Sequence, residues 1–150
     1  MRDAIGQVFA LQVILAFVLL INGYMAYSVN YTRAFRVKNQ IVNIIEQYEG
    51  PYNDEAIAKI NAIIDQMTYE VPPRLTQDFL DDYADEDEKS CQNGWCYVAH
   101  DVSIDDADGE RTGKYYSVVT FVNINIPVIN NIVGLGDFLR VVGETRTIYD

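Results

Sequence analysis

The sequence predicts an α+β chain: a long N-terminal helix acting as membrane anchor and stem, a second short helix, and a small antiparallel sheet of three or four strands. Three observations carry this reading. No charged side chain falls between Asp3 and Arg33. From Tyr31 to Tyr48 the apolar residues Phe35, Ile41, Ile44, Ile45 and Tyr48 recur at helical spacing. From Trp95 onward the period changes to two, the alternation of a strand.

The first element is the stretch Ala4 to Thr32, in which Val8 to Leu20 is almost unbroken Val, Phe, Ala, Leu and Ile. A bilayer's ~30 Å hydrocarbon core needs only about 20 helical residues, so this run is long enough to cross it. A chain of 150 residues could hardly surround so apolar a helix on every face inside a soluble domain. The helix then continues as an amphipathic stem, and Gly50-Pro51 ends it. From Asp3 to Tyr48 it would measure roughly 70 Å at ~1.5 Å per residue, about twice the bilayer thickness. Asn22-Gly23 is its weak point, a place for a kink or a melted turn, or a small-residue contact for a neighbouring membrane helix.

A second helix opens on Asn53 or Asp54 as N-cap and carries Ile57, Ile60, Ile63, Ile64 and Met67 on one face, which should fold back onto the stem. Val71-Pro72-Pro73 ends it in an extended segment. In Asp78 to Lys89 the clustered acids repel one another, so this segment reads as an exposed loop or a poorly ordered short helix. Trp95 to Ile104 and Lys114 to Ile126 form a hairpin around the turn Asp105 to Glu110. Residues 128–137 make a crossover of one or two helical turns, and a final strand, Phe138 to Ile148, closes the sheet.

Charge divides the chain in two. Residues 1–38 carry Arg2, Arg33, Arg36 and Lys38 against Asp3, a net of +3, while residues 39–150 carry seven basic and 21 acidic side chains, a net of −14. Beyond the anchor, about 110 residues remain, enough for one small domain. The organisation is therefore a leader and transmembrane helix over 1–32 and an extracytoplasmic stem and globular head over 33–150. So acidic a head repels nucleic acid and anionic lipid, which excludes DNA, RNA and peripheral membrane binding for it. Cys91 and Cys96 enclose Gln-Asn-Gly-Trp, and the Asn-Gly turn could bring them together across a short hairpin, as a disulfide or as reduced thiols. A disulfide would place the head in an oxidising space.

Gly6-Gln7 stands immediately before the apolar block, and no Ala-x-Ala-like signal peptidase site follows that block. A helix apolar in its first half, amphipathic in its second and capped by a small sheet resembles the type IV pilin superfamily. Gly6-Gln7 resembles a prepilin peptidase site, where cleavage falls after a Gly. Val118-Val-Thr-Phe-Val through Ile126-Pro127, the small-residue crossover and Leu139-Arg-Val-Val-Gly-Glu-Thr resemble the ending of the tight-adherence (TadE/TadG-like) pilins. The resemblance implies a minor pilin or pseudopilin with four partners: the membrane, other pilin subunits through the N-terminal helix, a pilus assembly platform and the prepilin peptidase. It departs from the family at Leu11, where a Glu is usual, with Gln12 the nearest polar group. That favours a minor, initiating or non-assembling member over the main fibre subunit. Arg33, Arg36 and Lys38 just beyond the span, against Arg2 before it, favour a cytoplasmic C-terminal side by charge bias. The cysteine pair and a rigid stem holding those cations off the bilayer favour an external head.

No catalytic constellation is predicted, and no cofactor. Cys91, Cys96, His100 and Asp101 can be drawn as a zinc set, but strand alternation and a mutual cysteine pairing are simpler. Asp105, Asp106 and Asp108 with Glu110 around Gly109 resemble half a calcium loop, yet Ile104 occupies the first ligand position and the closing Glu is missing, so a solvated turn is the default. Two further readings follow: a monomeric membrane-anchored extracellular binding module for a cationic or calcium-linked ligand, and a membrane-bound hydrolase using Asp81, Asp82 or Asp85.

Overall fold

The computed structural model describes residues 2–67, 70–106, 109–123 and 138–149. One helix, α1 (Arg2–Gln47), runs for 46 residues, about 69 Å at the standard rise. It passes through Asn22-Gly23 without a break, against the expectation of a melted turn there. The Asn22 amide folds back to donate to the Val18 carbonyl at 2.7 Å, so the side chain that competes for backbone partners finds one within the helix. The helix stops where Glu49 takes the left-handed conformation (φ 56°) and the Gly50 N–H reaches back to the Ile45 carbonyl at 2.9 Å, the bond that closes a Schellman-type end.

Asn53 caps α2 (Asp54–Ile64), its side chain accepting from the Glu55 N–H. Ala56, Ile60 and Ile64 bury one face. A third helix, α3 (Pro73–Asp82), occupies part of the segment expected to be extended or loosely ordered. Pro73 begins it, at the position where proline's missing N–H costs nothing. Phe79 is buried, with Leu75, Leu80 and Tyr83 beside it. Burying a Phe stabilises by about 1.5–3 kcal/mol, whereas like-charge pairs on a helix cost a few tenths each. Burial wins over the aspartate repulsion.

Among the described residues five strands complete the fold: β1 (Lys89–Gln92), β2 (Trp95–Asp106), β3 (Gly109–Asn123), β4 (Phe138–Glu144) and β5 (Ile148–Tyr149). The sheet is antiparallel in the order β1-β2-β3-β4, with β5 pairing to β3 at Gly113 and Lys114. The predicted closing strand is thus two. Thr145 divides them, its N–H donating to the Tyr116 carbonyl and its Oγ1 accepting from the Tyr116 N–H at 2.9 Å. The crossover expected over 128–137, with Pro127, lies outside the described residues.

Alternation gives the sheet two buried faces. Trp95, Tyr97, Ala99, Tyr116 and Val118 meet Ile41 and Ile45 of α1 and Ile60 and Ile64 of α2. On the other face Cys96, Val98, Val119 and Phe121 meet Phe79 of α3. Lower on α1, Ala34 packs with Val122 and Val141, and Tyr27 and Leu139 lean on them. The head is therefore three layers, with the stem built into one of them.

Candidate functional site

The part of the molecule that calls for a partner is the first half of α1. Val8, Phe9, Leu11, Ile14, Phe17, Leu20 and the apolar residues between them are all exposed. The most apolar window of the helix has a mean hydropathy of 2.2 and is 6% buried. Water does not tolerate so large an apolar surface on an isolated rod. This N-terminal helix is long and apolar enough to span a membrane. Gly6 and Gln7, the candidate processing site, lie in its opening turns, and beyond the helix's own neighbouring backbone nothing stands within 4 Å of where a Gly6 Cβ would be. Leu11 points outward, and the helix offers no carboxylate between Gly6 and Gln40.

Above the apolar half come Tyr24, Tyr27 and Tyr31, the last two stacked at 6.2 Å, and then Arg33, Arg36 and Lys38. Aromatic residues followed by cations are what a membrane–water boundary selects. The three cations differ in setting. Lys38 is buried against the head, its ammonium 4.2 Å from the Phe35 ring centroid. Gly143 of β4 makes room for it, since a Cβ there would stand 2.9 Å from Lys38 Cε. Arg33 and Arg36 are exposed.

The head above this collar is tied by charged clasps. Tyr48 donates to Glu55 at 2.8 Å, and Lys59 donates to the Tyr48 hydroxyl and pairs with Glu55. The hydrogen bonds from Tyr48 and then Lys59 hold the Glu55 carboxyl below its ordinary range. Across the sheet's edge, Lys114 and Tyr52 both donate to Glu88, at 2.7 Å each. Those two bonds, Lys114's first, lower the Glu88 carboxyl as well. Burial, then the bond to Glu88, pushes the Tyr52 hydroxyl far above the usual tyrosine range.

Cys91 and Cys96 are directly opposite each other in the β1–β2 ladder, with sulfurs at disulfide distance (1.96 Å). Asn93 (φ 44°) and Gly94 (φ 82°) turn the chain between them, the two positive φ angles of a type I′ hairpin. The zinc set fails because the cysteines bond each other and His100 turns elsewhere. Among the described residues no three metal-ligating side chains converge. Of the calcium candidates, Asp108 lies outside the described residues, and Asp105 and Asp106 are described only as backbone of β2. Asp81 and Asp82 are exposed and engaged by Gln77 and Arg140, and Asp85 is exposed in the loop after α3.

One arrangement escaped the sequence. His100 stacks on Tyr115 at 4.7 Å, its Nε2 lies 3.1 Å from Ser117 Oγ, and its Nδ1 lies 3.6 Å from Glu86. The residue types are those of a hydrolytic triad, but the acid is beyond hydrogen-bond reach and Ser117 is 7% exposed in a strand paired on both sides. Only the strand register joins His100 to Ser117, and register is not visible in residue spacing. Comparison with known protein families, with characterised proteins and with solved structures finds no match to this chain.

Proposed function

We propose that this chain is a structural subunit, a minor pilin or pseudopilin of a type IV pilus-like, tight-adherence-type surface filament. Its head would stand outside the cytoplasm, and subunits would assemble through the N-terminal helix. One observation carries the reading: a single unbroken helix leaves its first half bare and builds its second half into the head. A bare apolar rod can rest in lipid and can equally be covered by the same rod of neighbouring subunits, without refolding of the head. That is the physical requirement of a subunit that is stored in a membrane and drawn into a fibre. The linked cysteines support an oxidising surrounding for the head. In this reading the chain carries no catalysis, and Gly6-Gln7 is where a prepilin peptidase would act.

Protease added to intact cells, followed by mass spectrometry of sheared surface material, tests it. The head is expected to be digested from outside, and the chain to be recovered among sheared fibres with Gln7 at its amino terminus. A protected head would end the pilin reading. An intact Met1 in cells with active prepilin peptidase would remove the processing step, and absence from fibres would remove assembly.

A further inference from the structure

A groove of about 700 Å³ opens beside the collar, where the stem meets the end of α2 and the end of β3, within the ~300–1,000 Å³ of small-ligand sites. Its inner wall is apolar: Ala34, Val37, Ile63, Met67 and Val122. Its rim is polar, and among the described residues the only charged ones lining it are Arg33 and Arg36. With Arg111, which does not line the groove, those two arginines are the ones that no carboxylate holds among the described residues. In the head, Lys59, Arg74, Lys114, Arg140 and Arg146 each face a carboxylate, and Lys89 donates to three carbonyls. Arg33 and Arg36 have no carboxylate within ion-pair distance among the described residues. Residues 39–150 carry a net of −14 and as a whole repel anions, so the two arginines of the stem that line this groove are the local place where an anion is accepted.

Height along the helix says which anion. If the ~20 residues that cross the hydrocarbon end near Ser28, after Tyr24 and Tyr27, then Arg36 stands about 12 Å further out, its side chain slanting back toward the helix N-terminus, and Arg33 stands about 7 Å further out. That is the depth of the headgroup layer, about 5–7 Å on each side of the hydrocarbon. A free anion has no use for the apolar wall, whereas a phospholipid has a phosphate for the rim and glycerol and acyl carbons for the wall. We infer that the groove beside Arg33 and Arg36 binds the headgroup of an anionic phospholipid, with its phosphate on the two guanidinium groups. This fixes the height and rotation of the stem at the bilayer surface. The inference rests on the anchoring half of the proposed function.

The test uses the full chain, purified from membranes in mild detergent and mixed with phosphatidylglycerol or phosphatidylcholine of the same acyl chains, with bound lipid counted by native mass spectrometry. Phosphatidylglycerol is expected to be retained preferentially. Neutralising Arg33→Gln with Arg36→Gln should weaken retention about thirtyfold, about fivefold for each basic residue near an anionic surface. Arg74→Gln, whose partner is Asp78, should leave retention unchanged. Both arginines are exposed, and an unchanged Tm in phosphatidylcholine verifies that the double variant folds. Equal retention of the two lipids, or an unaffected double variant, would overturn the inference. So would displacement of the lipid by excess inorganic phosphate, which would make the ligand a free anion. Loss of self-association with bound lipid unchanged would assign the arginines to subunit contact and equally overturn it. Membrane partition is scored separately: a chain that stays in membranes without lipid preference breaks this inference alone, and one that leaves them breaks the anchor reading.

Discussion

The two halves of α1 are one helix by backbone and two different molecules by surroundings. Phe9 and Leu20 are 68% and 63% exposed, while Ile41 and Ile45 are 0% exposed. The difference lies in pattern. The first half is apolar all round and stands bare among the described residues, and the second carries a stripe centred on Ile41 and Ile45 that the sheet and α2 cover, with Phe35 left 45% exposed. An amphipathic stripe is satisfied by folding, whereas an all-round apolar surface is satisfied only by a medium or by copies of itself. The same substitution should therefore have opposite consequences on the two halves.

The largest separation is expected from Ile41→Ala against Leu15→Ala. Ile41 lies in the cluster with Trp95 and Val118, so its truncation should destabilise the head by about 2–5 kcal/mol. Leu15→Ala should leave denaturant unfolding of the full chain in detergent unchanged, because Leu15 is exposed and belongs to none of the head's hydrophobic clusters among the described residues. An equal loss from both would make α1 a single cooperative unit and erase the distinction. The reverse contrast comes from charge. Leu15→Arg should cost about 2.5–3.5 kcal/mol of membrane insertion and move the protein out of the membrane fraction. Its head, recovered in detergent, should melt as before.

The contrast between the halves was legible in the sequence, because periodicity reports burial directly: the Ile41, Ile44, Ile45 stripe, the Asn53 cap and the Asn93-Gly94 turn all formed as their residue types require. What could not be read depended on partners distant in sequence. α3 was obscured because the repulsion among Asp78, Asp81 and Asp82 is visible locally, whereas the pocket for Phe79 is made by strands that follow it. Thr145 splits the last strand through bonds to Tyr116. Glu49, not the adjacent Gly50, took the left-handed position at the end of α1, a choice that propensity would reverse. The collar arginines were visible as charges. Their groove was not, because its walls come from α2 and β3.

A smaller effect should separate the head's two faces. Gly94 holds φ 82°, and an added Cβ would meet Val71 Cγ2 at 2.8 Å. The left-handed conformation alone costs a side chain about 1–2 kcal/mol, so Gly94→Ala should lower Tm by several degrees and loosen the face on which Val71, Cys91 and Phe79 pack. Amide exchange is the discriminating readout: protection should fall in β1 and α3 and hold along α1 from Ala34 to Ile45. A uniform fall would mean that the face covered by α3 and the face covered by the stem open together.

The weakest expected effect lies in the clasp between Glu88, Lys114 and Tyr52. Because the Glu88 carboxyl is held below its ordinary value of 4.5, the folded state binds its proton less readily than the unfolded chain. Its contribution is therefore complete above the unfolded value and is lost as pH falls through the lowered folded one. Lys114 is raised above its ordinary 10.5, chiefly by the bond to Glu88, so its contribution is complete below that value and fades as pH rises through the folded one. Both side chains are well exposed, at 45% and 37%, so solvent and salt screen the pair. Protonating the crowded acids of the head relieves repulsion at the same time, so the clasp is visible only as a difference. Glu88→Gln should match the native chain below the lowered value and fall short of it in Tm from there to about pH 10. The gap should close in ~1 M salt, where the Debye length is about 3 Å. A gap that survives high salt would mean that the Tyr52 hydrogen bond, not the charge of Lys114, holds this edge of the sheet.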